Sequence, residues 1–336
     1  MIARLRPVWC AGFMAALAVT SGARADTPQA AASETGTLNI LFENDIFYGT
    51  DRDYTNGVMV QWTSPPDDSW DWVTQTAREL PFFAQEGEVR TSYAIGQNIY
   101  TPTNLHLADP PTTDRPYAGF LYGGLGIVDE TPAQLDQAEL QLGVVGPDSL
   151  AQDSQTLVHQ IIHDTIPRGW AYQLHNEPAL VFVDEKTWRA LESGSVLGLS
   201  FDVDPHLGGA IGNVYDYVNA GAMARIGFDL PDDYGPLRIE PSLPGSGFFV
   251  PHGGFGWYFF AGIDGRAVGR NIFLDGNTFE DSRHVDKLPL VADGQLGAAL
   301  TFDRFRLTFT HVYRTREFHT QPHSDQFGAI DLSVRF

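Results

Sequence analysis

Fifteen residues near the start of the chain, ENDIFYGTDRDYTNG at 43–57, gather four carboxylates, one Arg and two side-chain amides. Flexible loops rich in oxygen donors are what a hard cation requires. Asp51-x-Asp53-x-Thr55 opens like a calcium loop, yet its sixth position is Asn56 rather than Gly and its twelfth is Trp62 rather than Glu, so it is not an EF-hand. Asp45, Asp53 and Thr55 still offer carboxylate and hydroxyl oxygens, with Asp53 expected to pair with Arg52 and shape the loop rather than touch the ion. Asn56-Gly57 is equally a hairpin-turn signal. A cation site and a solvated acidic loop both fit these residues.

A second candidate lies in AQDSQTLVHQIIHDTIPRGW, residues 151–170. The spacing predicts a helix from about Gln152 to His163, with Leu157, Val158, Ile161 and Ile162 as an apolar stripe and Pro167 and Gly169 ending it. Gln155, His159 and His163 stand four apart and rise along one flank. A neutral His can take a proton from water, and a calcium ion can polarise an ester carbonyl. A helix His that merely packs is the competing reading. No G-x-S-x-G is present, so hydrolysis here would use water rather than an acyl-enzyme. His159 and His163 lack a third ligand for zinc, and the one cysteine, Cys10, lies in the leader described below.

The elements that must position these residues repeat with period two. In VLGLSFDVD, Leu197, Leu199, Phe201 and Val203 oppose Ser200, Asp202 and Asp204; in RFRLTFT, Phe305, Leu307 and Phe309 oppose Arg304, Arg306 and Thr308. A soluble sandwich would turn the apolar side inward, a membrane barrel outward. Charged polar faces on strands of nine to eleven residues favour a transmembrane antiparallel β-barrel. So does alternation of short links such as 192–195 with long ones such as 64–90, 101–116, 148–178 and 275–290, the long ones being expected outside. Candidate strands fall near 37–46, 55–64, 91–100, 117–128, 137–147, 180–190, 195–205, 220–229, 255–263, 266–274, 292–302, 304–314 and 327–336. Because bacterial barrels have even strand numbers, about twelve are expected, with 266–274 the weakest. Odd strands then run outward, and the acidic motif, the loop after strand three and the helix after strand five meet at one outer rim. One conflict arises. On a regular first strand Phe42 and Asn44 face lipid while Asp45 faces the lumen, so either a bulge or strand end re-aims one of them or Asn44 acts from the outer wall.

The opening MIARLRPVWCAGFMAALAVTSGARADTPQ has basic Arg4 and Arg6, an apolar run and Ala23-Arg24-Ala25, the anatomy of a signal peptide over residues 1–25 cleaved near Ala25. Residues 26–336 then form a single barrel domain. A net charge of −21 argues against nucleic acid as a partner.

Several ordered stretches, ENDIFYGTDRDYTNGV, GQNIYTP, DRPYAGFLY, LGVVGPDSLAQDSQTLVHQIIHDTIPRGWAYQLHNEP and the strand-ending Phe336, resemble the lipid A deacylase family of Gram-negative outer membranes. The resemblance runs from about residue 38 to 336. It implies a twelve-stranded barrel, a location in the cell outer membrane, and calcium-dependent hydrolysis of the 3′-linked acyloxyacyl ester of lipid A, between barrel wall and outer leaflet. Lipopolysaccharide is the implied substrate, outer-membrane lipid the surroundings, and a monomer the expected state. Carried over onto this sequence, Asn44 and His159 are catalytic and Asp45 with Thr55 holds Ca2+; from the helix spacing, Gln155 or a main-chain oxygen is expected to orient the His159 ring. The family places a Lys beyond the third strand, where this chain reads TPTNLHLADPP; Arg115 is the candidate to replace it. The alternative from a different class is a passive porin or structural barrel.

Overall fold

The computed structural model describes residues 35–48, 52–66, 68–84, 86–239 and 245–336. The expected leader, 1–25, lies outside the described residues. The alternating segments become strands β1 (Thr37–Asn44), β2 (Asp53–Thr63), β3 (Glu88–Thr101), β4 (Ala118–Glu130), β5 (Gln134–Val145) and β6 (Glu177–Trp188, continued by Glu192–Val196). They continue as β7 (Leu199–Gly212), β8 (Tyr215–Phe228), β9 (Phe255–Asn271), β10 (Leu290–Phe302), β11 (Phe305–Arg314) and β12 (Asp325–Arg335). Every neighbour is antiparallel, and β1 closes on β12 from Thr37↔Arg335 to Asn44↔Gly328. The two pieces of β6 share β7: Thr187 pairs with His206 above, and Glu192 with Val203 below. They therefore fill one barrel position, and the barrel has twelve strands.

Two strand assignments change. The separate strands 255–263 and 266–274 are one continuous strand, Phe255–Asn271. Asp264 and Gly265 read as a break, but Asp264 points into a polar lumen, where His206, Asn219 and Arg266 bond it. The short link also moves from 192–195 to Leu197-Gly198, both at positive φ (53° and 82°), the backbone a two-residue hairpin turn needs.

Outward faces are apolar and exposed, as at Ile40, Leu142, Leu180, Leu296 and Leu332. The lumen is charged and paired. Asp293 accepts from Arg238, Arg266 and Arg314. Asp233 pairs with Arg225 and Arg306. That Asp belongs to the link between β8 and β9, which turns back inside the barrel. Its Phe248 packs with Val128 and Leu135, and its Leu237 and Ile239 pack on Leu41 and Met59. The segment 231–239 and 245–250 thus occupies the space a channel would need.

The rims differ. One carries helix α2 (Ala151–Ile162), the turn Asp45–Tyr48, the 102–117 loop and the short helix α3 (Ile272–Asp275). The opposite rim carries helix α1 (Asp71–Glu79) in the 64–87 link. That link follows an even strand, so it lies at the inner rim and not outside as its length suggested.

Removing one partner of a buried charge cluster leaves the others uncompensated, at a cost of about 3–5 kcal/mol. Asp293→Asn should therefore lower the urea midpoint at which the folded, heat-modifiable gel band is lost. An unchanged midpoint would show that the three guanidiniums do not depend on this carboxylate.

Candidate active site

Strand β1 stops at Asn44, and a 3-10 turn starts at Asp45. Asn44 starts that turn by accepting from the Ile46 amide (2.7 Å), and Asp45 accepts from the Arg52 amide (2.6 Å). The strand end therefore re-aims Asp45, and both neighbours line the same outer groove. A second irregularity does the same for Thr55. The β2–β3 register slips between Tyr54 and Asn56, a bulge after Asp53 at φ 62°. Tyr54 turns inward onto Phe327, while Thr55 and Asn56 both reach the groove. Thr55 Oγ1 is held 2.6 Å from Thr101 Oγ1, and Asn56 donates to Glu43 O (3.1 Å).

Helix α2 forms the other wall. Its leading turn lies so close to β4 that a Cβ on Gly119 would overlap Ser149 and Ala151. Ala151 packs with Ile99, Leu105, Tyr117 and Trp170, and Gln97 donates to Ser149 O (2.6 Å). The buried flank is Ala151, Gln155 and His159, whereas the apolar stripe of Leu157, Val158, Ile161 and Ile162 is exposed. This inverts a soluble amphipathic helix, as expected where the surroundings are hydrocarbon.

His159 Nδ1 lies 2.6 Å from the main-chain oxygen of Thr165. A carbonyl only accepts, so Nδ1 carries the proton and Nε2 keeps its lone pair. The helix ends at His163 in the left-handed conformation, φ 58°, and this reversal brings Thr165 back under the ring. Trp170 Nε1 donates to Gln155 Oε1 (2.9 Å). An indole N–H can only donate, so it fixes the amide orientation and makes Gln155 Nε2 a donor.

The groove between helix and wall measures about 670 Å³. Its polar end holds Asn44, Asp45, Thr55, Asn56, Gln155 and His159, and its apolar length runs along Phe42, Val58, Val60, Ile95, Leu157 and Ile162. It opens on the outward face of the barrel. Its oxygen donors are the carboxylates of Asp45 and, farther along the helix side, Asp164, the hydroxyls of Thr55 and Ser154 and amide oxygens, a hard set without sulfur that fits calcium better than zinc. No cluster of three or more His, Cys, Asp or Glu forms a metal site among the described residues. Any ion here would rest largely on neutral oxygens.

Three sequence candidates fall outside this site. His163 is the exposed helix cap, so no pair of metal-binding histidines forms. Asp53 sits loosely between Arg52 and Arg115, 3.9 Å from each, and does not line the groove. Arg115 is fully buried, 3.2 Å from Glu317 and stacked over Tyr100, so it does not replace a groove-facing Lys. Burial would favour its neutral form, but Glu317 and Asp53 hold its pKa above the ordinary value. Sequence reasoning missed Thr101, Gln97, Asn56, Thr165 and Trp170 as site residues. All five lie inside the family-like stretches, but Thr165 acts through its backbone and leaves no signal in its side chain.

A family model described as outer membrane protein LpxR matches residues 10–336. Among solved structures, LpxR from Salmonella typhimurium is similar at a TM-score of 0.72 and 22% identity, covering 89% of this chain and all 100% of its own. The transport unit of the autotransporter AIDA-I from Escherichia coli (TM-score 0.38, 10% identity, 90% of each chain) is much more distant. So is the Pseudomonas putida toluene transporter TodX (0.34, 9%, 93% of each). A search of curated proteins returned no match.

Trp170→Phe keeps the aromatic packing and deletes only the donor to Gln155. Ester hydrolysis should slow roughly 3- to 10-fold, the worth of one hydrogen bond, with KM little changed. Steady-state kinetics in detergent micelles would test it, and wild-type kcat would dismiss the indole's role.

Proposed function

The chain belongs to the LpxR family of outer membrane proteins, and we propose that it performs that family's lipid A deacylation with His159 as general base in the groove between α2 and the barrel wall. It is an enzyme of the carboxylic ester hydrolase class acting on the 3′-linked acyl ester of lipid A, and not a porin. The observation that carries the residue assignment is the His159–Thr165 contact, which leaves a basic Nε2 on a groove open to lipid.

A lipid substrate reaches such a groove sideways, without leaving the leaflet. Its acyl chain lies along Phe42, Val58, Ile95 and Leu157, which brings the ester to the polar end. His159 Nε2 takes a proton from water as the oxygen attacks the ester carbonyl carbon. The same proton then passes from the imidazolium to the sugar oxygen as its bond to the carbonyl carbon breaks, which yields a sugar hydroxyl and a fatty acid that ionises by releasing the second water proton to solvent. Thr165 O holds the ring and stabilises the imidazolium through the Nδ1–H bond. Gln155 Nε2 and Asn44 orient the carbonyl and the water. Asp45, with Thr55 and nearby amide or main-chain oxygens, would hold Ca2+, which when bound supplies positive charge for the developing oxyanion. The polar end and the helix come from one chain, which supports action as a monomer.

Mass spectrometry of lipid A from cells expressing the wild type should show loss of the acyloxyacyl mass. His159→Gln should reduce turnover roughly 10²-fold or more while the barrel still shows its heat-dependent gel shift. Equal mass loss in that variant would remove His159 from the mechanism. Asp45→Ala should abolish the calcium dependence of turnover, and chelation should silence the wild type. A chelator-insensitive wild type would refute the metal assignment.

A further inference from the structure

Helix α1 and its flanks do not hang free below the barrel. They lie against the outside of its wall. Val73, Ala77 and Phe83 pack on outward-facing Val89 and Ala138, with Ile127 alongside. Beneath them Val89, Asp129, Asp136 and Lys186 form one row across β3–β6. An outward row with this much charge cannot face hydrocarbon bare. The α1 segment covers it: Arg78 donates to Asp129 (2.8 Å), the Ala84 amide donates to Asp136 (2.8 Å), and Lys186 pairs with Asp136 (2.7 Å). The row therefore marks the lower edge of the apolar belt.

The opposite side of the α1 segment exposes aromatic side chains. Trp70 is 61% exposed, Trp72 47% and Phe82 40%; Gln75 and Glu79, also exposed, share the flank of the helix that carries Trp72, where Gln75 Nε2 donates to Glu79 Oε1 (2.7 Å). The position along the membrane normal decides what meets them. From Val89 under α1 to Thr101 beside Thr55, β3 takes twelve residue steps. At roughly 3.3 Å per step and a tilt of about 40°, this is a rise of roughly 30 Å, the thickness of a bilayer's hydrocarbon core. With the groove at the outer-leaflet interface, α1 sits at the inner-leaflet interface. The aromatic face continues the lipid-facing belt of the wall, where Trp62 and Tyr93 stack 6.0 Å apart a few residues higher.

We infer that the α1 segment is an interfacial clasp. Trp70, Trp72 and Phe82 insert among the headgroups and upper acyl chains of the periplasmic-leaflet phospholipids, and Gln75 and Glu79, bonded to each other, lie beside Trp72 at headgroup level. Amphipathic Trp rings are suited to that depth. The clasp is packed and ion-paired to the wall, so it fixes the height of the barrel and hence the level at which the groove meets the outer leaflet.

The sole cysteine of the sequence is Cys10, so single cysteines can be placed for nitroxide labelling on a Cys10→Ser background. Trp72→Cys, Phe82→Cys and, in the exposed β4–β5 turn of the inner rim, Ala133→Cys would be compared in protein refolded into phosphatidylethanolamine–phosphatidylglycerol vesicles. Each would first be checked for the heat-dependent gel shift, with Trp70→Cys standing in for any variant that fails it. The ratio of oxygen to nickel-chelate collision rates should be several-fold higher at 72 and 82 than at 133. Equal, water-like ratios at all three in a folded barrel would overturn the clasp. The measurement uses no turnover, so its failure would leave the proposed hydrolysis untouched.

Discussion

Backbone groups in hydrocarbon find no water, so every N–H and C=O of a spanning sheet must be paired within the protein. Closure of β1 on β12 meets that demand, and the remaining features follow from it. A closed wall has only two faces. One is apolar and meets lipid; the other collects the charges. The lumen can therefore hold Asp293 with Arg238, Arg266 and Arg314, and Asp233 with Arg225 and Arg306. Such clusters would be ruinous on the outer face. With the lumen taken by these pairs and by the folded-in β8–β9 link, chemistry on a membrane lipid is left to the outside of the wall.

Putting chemistry on that outer face conflicts with strict alternation, since polar catalytic groups must then stand beside lipid-facing side chains. The structure resolves this at the ends of strands. A 3-10 turn after Asn44 and a bulge at Thr55 each bring two consecutive residues to one groove. Helix α2 supplies the rest and seals the polar end, with Gln155 and His159 turned to the wall and leucine and isoleucine turned outward. Its position depends on a small residue, Gly119, where wall and helix touch.

The two rims serve different ends of the same membrane. At the outer rim, loops distant in sequence converge on a groove whose apolar length runs down the wall. At the inner rim, α1 covers a charged row and exposes aromatic rings. The roughly 30 Å between them is set by strand length and tilt, so the level of the groove and the level of α1 are coupled through rigid strands.

Much of this was legible in the sequence, because period two is local. Alternation, the length of the strands and the even count determined a barrel, and helical spacing located α2 to within a residue. The ordered motifs identified the family and pointed to Asn44, Asp45, Thr55, Gln155 and His159, all of which line the groove. What the sequence could not determine was direction and partnership. Asp264-Gly265 looked like a break because a mid-strand carboxylate is tolerable only if a lumen with His206 and Arg266 waits for it. Arg115 seemed available for the groove until Glu317, some two hundred residues away, claimed it. The tautomer of His159 rests on a main-chain oxygen, and the donor face of Gln155 on an indole fifteen residues along. Periodicity records which face a residue prefers, and it fixed the wall. Hydrogen bonds between distant segments depend on how the closed barrel brings its loops together, and only the tertiary structure decided those.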